Sequence, residues 1–143
     1  MTRERAAATV GVVATATALG LTAVPYAVAG PTAVSTYYAA GFASPVFVSL
    51  LAVVGAITLV SAANGRSDPA LAAGIAVTVA AFAVGLSVLW AVPAHEVALG
   101  IDLQAGSVGG VDAATWFAYH PHAVVLAALA LAGGAGLYAR IVL

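Results

Sequence analysis

The side chains with chemical reach are gathered in one stretch, Pro93 to His122. It holds all three histidines (His95, His120 and His122) and three of the five acids (Glu96, Asp102 and Asp112). Imidazole and carboxylate are the ligands that zinc and copper take, so His95, His120 and His122, with Glu96 or Asp112, are the candidate metal ligands. Their spacing argues against a metal. His-Pro-His has no regular ligand period, and no H-E-x-x-H or similar helical pair is present. The plainer expectation is interfacial histidines that cap helix ends or meet solvent. Haem would need histidines on facing helices inside a bundle, and these sit at a rim. Hydrolysis inside a membrane needs a nucleophile with a base, or paired aspartates. Ser49, Ser61 and Ser87 have no histidine at their depth, and every acid lies outside the apolar runs. The expectation is therefore no enzyme and no cofactor.

The same stretch carries Trp116, Phe117 and Tyr119 and has no Lys or Arg. Such a segment reads as a lid over the end of a bundle, with a docking surface for a partner as the alternative. Asp112 is placed to cap a short helix from Ala113 to Tyr119, and Gly106 to Gly110 reads as a flexible link.

What must position this stretch is a set of membrane helices. The 143 residues are 64% hydrophobic and 6% charged, with mean hydropathy +1.12. Soluble domains average about 25% charged residues, so lipid must be the main solvent. The net charge of −1 leaves no basic patch for phosphates, which excludes nucleic acid as a partner. Cysteine is absent, and with it disulfides, thiolate metal sites and cysteine catalysis.

Four apolar runs fit spans of roughly 20 residues, at about 6–29, 45–63, 69–92 and 121–142, in a single membrane domain 1–143. The first run, with Arg3 and Arg5 before it and Ala27-Val28-Ala29 at its end, also resembles a cleavable secretory signal. It is longer than the 7–15 residues or so of a signal core, so an uncleaved helix is expected. Ser44-Pro45 and Ser67-Asp68-Pro69 read as cap-plus-proline starts, and Asn64-Gly65 as a helix stop. Pro93 is expected to end the third span and His120-Pro121 to open the fourth. Pro31–Ala43 is expected to be a loop, and 93–120 the long outer loop. Arg3, Arg5, Arg66 and Arg140 then fall on one side, which the positive-inside rule makes cytoplasmic, termini included. The fold class is all-α, a transmembrane four-helix bundle in the cell membrane.

No Asp, Glu, Lys, Arg or His lies mid-span. Such residues mark proton and ion paths, so a proton-coupled pump is disfavoured. Small residues recur at four-residue spacing, as in Ala81/Gly85, Ala130/Gly134 and Ala128/Ala132/Gly136, and this lets helix backbones approach closely, within the chain as the plainer reading or against another subunit as the sharper one. Gly134 and Gly136, with Trp116, Phe117 and Tyr119, are the candidate partner interface.

The arginine-only basic charge, Asn64-Gly65-Arg66-Ser67-Asp68-Pro69, Ala118-Tyr119-His120 and Tyr138-Ala139-Arg140 carry a resemblance to small, uncharacterised four-helix membrane proteins of haloarchaea. It implies no activity and no site residue. The leading expectation is a non-enzymatic accessory or structural subunit of a larger membrane complex, or a homo-oligomeric scaffold. The alternative is a protein that binds or transports a metal or small molecule at an outer histidine cluster.

Overall fold

The helix ends follow the short polar side chains that precede them. In a computed structural model, which describes residues 2–100, 107–108 and 110–143, five helices run in order: α1 Arg3–Val28, α2 Pro31–Tyr38, α3 Pro45–Ala63, α4 Pro69–Gly100 and α5 Ala113–Val142. The side chain of Thr2 accepts from Arg5 N, and that of Ser44 from Val46 N. Asp68 Oδ1 accepts from Leu71 N at 2.8 Å, and Asp112 Oδ1 from Thr115 N at 2.7 Å. Each bond satisfies an N–H that the first helical turn leaves free. The α3–α4 turn closes as expected. Gly65 takes φ +68°, Arg66 N donates to Ser61 O and Gly65 N to Ala62 O, the paired bonds of a glycine-terminated helix.

The Thr115 N–H holds the Asp112 carboxyl below its ordinary range. A lowered folded value means that the cap stabilises the start of α5 at pH above the unfolded carboxylate's value. The benefit fades as pH falls through the lowered one. Acidification should therefore speed amide exchange at Thr115, after correction for the intrinsic rate. In the Asp112→Asn variant, whose cap carries no charge, this acid sensitivity should vanish.

Four helices, α1, α3, α4 and α5, are long and apolar enough to cross a membrane. Burial fits that solvent. The interior is mostly alanine, including Ala14, Ala52, Ala73, Ala76, Ala80, Ala83, Ala128 and Ala135, while Leu50, Ile57, Leu71, Phe82 and Leu126 face outward. In water the large side chains would be driven inside. In lipid they gain nothing by burial, and small residues in the seams let helices touch.

The long helices are consecutive antiparallel neighbours. The α1–α3 seam carries hydroxyl bonds. Thr15 Oγ1–H is shared between Gly11 O (2.9 Å) and Ala52 O (2.8 Å), and the Thr22 and Ser49 hydroxyls bond at 2.6 Å. The α1–α5 seam closes where glycines meet: a Cβ on Gly134 would lie 3.1 Å from Gly11 N and 3.4 Å from Ala7 O. Both termini and the α3–α4 turn lie at one end of the bundle. The α1–α2–α3 connection and the α4–α5 connection lie at the other, distal end.

The distal end departs from the expected boundaries. The outer loop 93–120 is mostly helix, because α4 continues through Pro93 to Gly100 and α5 begins at Ala113 and runs through His120-Pro121. The expected short helix after Asp112 and the fourth span are one element. A proline inside a helix frees the carbonyl four residues before it and costs about 3 kcal/mol. In a bundle neighbours can take up that carbonyl, whereas breaking the helix would strand more backbone groups. Pro31–Ala43 is likewise not simply a loop, since α2 occupies Pro31–Tyr38 with proline at its first position. The expected flexible link includes a two-residue hairpin, β1 Ser107–Val108 with antiparallel β2 Val111–Asp112, turned at Gly110 with φ +78°.

At about 1.5 Å per residue, α4 and α5 are roughly 45–48 Å long, against about 30 Å for a hydrocarbon core. Their paired distal ends therefore project beyond the shorter α3, and α2 packs against that projection.

Candidate functional site

The distal end is organised around Tyr37, which α2 drives into the bundle with no exposure. Its ring meets Phe117 at 4.7 Å, Trp90 at 5.2 Å and His120 at 5.6 Å between centroids. Tyr38 packs on Tyr26 and Trp90, and its hydroxyl donates to Thr22 O. Aromatic pairs in edge-on geometry add about 0.5–1.5 kcal/mol each beyond their buried area. Burial, and secondarily the neighbouring Tyr38, push the Tyr37 hydroxyl far above its ordinary range, so it stays a donor. Helix α2 thus takes part in the covering role expected of the loop 93–120.

His120 is the polar centre of this cluster, 2% exposed. Its Nε2 lies 2.7 Å from Leu21 O, and its Nδ1 lies 2.9 Å from the Tyr37 hydroxyl. A carbonyl can only accept, so Nε2 carries the proton. A neutral imidazole then accepts at Nδ1 from the Tyr37 O–H. Leu21 is the residue four before Pro25, which sits inside α1 and has no N–H to give it. His120 supplies the missing donor from another helix. Pro93 frees Leu89 O in the same way, and this carbonyl faces the α2–α3 connection. A Cβ on Gly41 would lie 3.3 Å from Leu89 O and 3.0 Å from Trp90 Cα, so only glycine lets that connection approach so closely.

This geometry divides the three histidines. His120 has both ring nitrogens engaged by the protein and points inward. His95 and His122 are exposed and pair with each other edge-on, ring centroids 5.8 Å apart. With Glu96 they line an open groove of about 680 Å³ between α4 and α5, floored by Val88, Val92, Pro121 and Val125. The three candidate metal-ligating histidines are therefore not brought together, and among the described residues no group of three or more His, Cys, Asp or Glu could hold a metal ion. Residues two apart on a helix point about 200° away from each other, which sends His120 and His122 to opposite faces once α5 runs through both. Asp102 lies outside the described residues, and Asp112 is held by its capping bond.

The candidate partner interface divides as well. Phe117 is buried against Tyr37, and Gly134 is buried against α1, so both serve the chain's own packing. Tyr119 and Gly136 are exposed, and Trp116 is half-buried.

On α4 the small-residue pair Ala81/Gly85 proves to be part of a longer exposed surface. Gly74, Thr78, Ala81 and Gly85 are all exposed and fall within about 60° of one another around the helix, at 100° per residue. A Cβ on Gly74 or Gly85 would meet nothing within 4 Å. Exposed Leu71, Phe82 and Leu89 flank this channel on one side, and Val77 and Val88 on the other. The signal was present as small residues at intervals of four, three and four. It was masked by the abundance of alanine and glycine elsewhere.

No curated protein and no solved structure matches the chain. A family match spans residues 1–143, and the chain belongs to the family of unknown function DUF7548.

Proposed function

We propose that this chain is a non-enzymatic integral membrane protein that acts by packing against another membrane helix. In this reading it is an accessory or structural subunit of a larger membrane complex, or a homo-oligomeric scaffold. The observation that carries the reading is the channel along Gly74, Thr78, Ala81 and Gly85, walled by larger apolar side chains. A ridge of a second helix fits such a groove, and small residues at its floor allow close backbone contact. Lipid tails fill it less well than a shaped side-chain ridge does. The non-enzymatic reading is supported by how three buried polar groups are used: Thr15, Ser49 and His120 bond carbonyls of neighbouring helices, leaving their hydrogens committed to structure. The arginine-bearing end faces the cytoplasm under the positive-inside rule, with both termini there.

Replacing Gly74 and Gly85 together by leucine fills the channel without touching the chain's own core. The expected result is an unchanged unfolding midpoint and loss of the associated species by native mass spectrometry after gentle extraction. Association that survives this change would overturn the reading.

The alternative, binding or transport of a metal or small molecule at the outer histidines, rests on His95 and His122 beside the α4–α5 groove. Two histidines fall short of the three protein ligands usual at a catalytic zinc. A metal retained by the wild type and lost on replacing both histidines would favour that alternative.

A further inference from the structure

We infer that the termini end of the bundle carries a binding site for an anionic phospholipid, seated between α1 and α5. Arg3 and Arg140 line one groove of about 600 Å³ there, with Ala6, Ala7, Val10, Leu137 and Ile141. Val10 also lines a second groove of about 540 Å³ that continues along the same seam past Val13, Thr17 and Leu21 on α1 and Leu126 and Ala130 on α5. A charged mouth therefore opens onto a long apolar track. That is the chemistry of a phosphate head group with a hydrocarbon tail.

Three observations fit that occupant. Neither guanidinium has an ion pair or side-chain hydrogen bond among the described residues. Arg3 stands in the first turn of α1, where a cation opposes the helix dipole, so helix stability does not explain it. The N–H groups of Arg3 and Glu4, which the Thr2 cap leaves free while it takes those of Arg5 and Ala6, add to the attraction for an anion. Arg5 and Glu4 do not line this groove. Arg5 faces α3, beside Val60, Ala63 and Asn64. A free phosphate would need only the arginines, whereas the apolar continuation distinguishes a lipid. The site shares no residue with the α4 channel and does not depend on its role.

The test uses the full chain in mixed micelles containing equal phosphatidylglycerol and phosphatidylcholine, read by native mass spectrometry. The wild type should retain phosphatidylglycerol in preference to phosphatidylcholine. The double variant Arg3→Gln/Arg140→Gln, altered only at exposed positions, should retain it about 30-fold more weakly, as expected for two basic residues near a lipid head group. Ala6→Phe, which fills the groove and leaves both charges in place, should also weaken retention. Inorganic phosphate should not displace the lipid. Equal retention of the two lipids, or unchanged retention in either variant, would overturn the proposal. Displacement by inorganic phosphate would also overturn it, by making this a free-anion site.

Discussion

His120→Phe should be among the most destabilising single substitutions in this chain, lowering stability by roughly 2–5 kcal/mol. Phenylalanine, though somewhat larger, keeps an aromatic ring against Tyr37 and Trp90. It removes the donor to Leu21 O and the acceptor for the Tyr37 hydroxyl. Each polar group left unpaired in an apolar interior costs about 1–3 kcal/mol. Unfolding followed in detergent micelles measures the loss. A double-variant cycle isolates its cause. Pro25→Ala restores a backbone N–H within α1 that can reach Leu21 O, so His120→Phe should do less harm in that background, by about 1 kcal/mol or more. An equal loss in both backgrounds would show that the bond from His120 to Leu21 is not what stabilises the distal end.

Gly134→Leu should be comparably damaging, at about 3 kcal/mol, through overpacking. A Cβ at this position would already crowd backbone atoms of α1, Gly11 N at 3.1 Å and Ala7 O at 3.4 Å, and helix backbone does not give way as a side-chain tip does. The leucine must force α1 and α5 apart over several turns. Gly136→Leu is the control. Two residues along the same helix, it meets open space and should leave the unfolding midpoint unchanged. Thermal unfolding of the two variants side by side checks the contrast. Similar midpoints would remove the α1–α5 glycine contact from the account.

Local chemistry made much of the frame readable. The caps at Ser44, Asp68 and Asp112 and the stop at Asn64-Gly65 depend on neighbours within four residues, so residue types and spacing suffice to place them. Composition was enough for an all-α class with four apolar helices long enough to cross a membrane. The distal end was not readable for the opposite reason. The run 6–29 was expected to continue past Pro25, but its support by His120, 99 residues from Leu21, was not visible. Prolines at 93 and 121 look like boundaries until a bundle is present to absorb the freed carbonyls. The helix α2 has only eight residues, too short to be stable alone, and it is held by Tyr37 entering a pocket made by α4 and α5.

The histidine set failed through the same misplaced boundary. With His120 read as the first residue of a helix, all three imidazoles could share one rim. With α5 running from Ala113, the i, i+3 pair Phe117 and His120 turns inward together, and Tyr119 and His122 turn outward. The channel on α4 was visible as a spacing, yet only burial shows which of the many small residues lack a partner within the chain.

The central claim is that the face of α4 meets another helix. Single-cysteine cross-linking in the source membrane tests it most directly, because the chain has no cysteine of its own. Thr78→Cys and Ala81→Cys lie in the channel, and Ile57→Cys lies on the exposed face of α3. The account predicts a cross-linked product of one defined mass from positions 78 and 81 and little from position 57, the mass reporting either a second copy or a companion subunit. Cross-linking at 78 and 81 no greater than at 57 would contradict it.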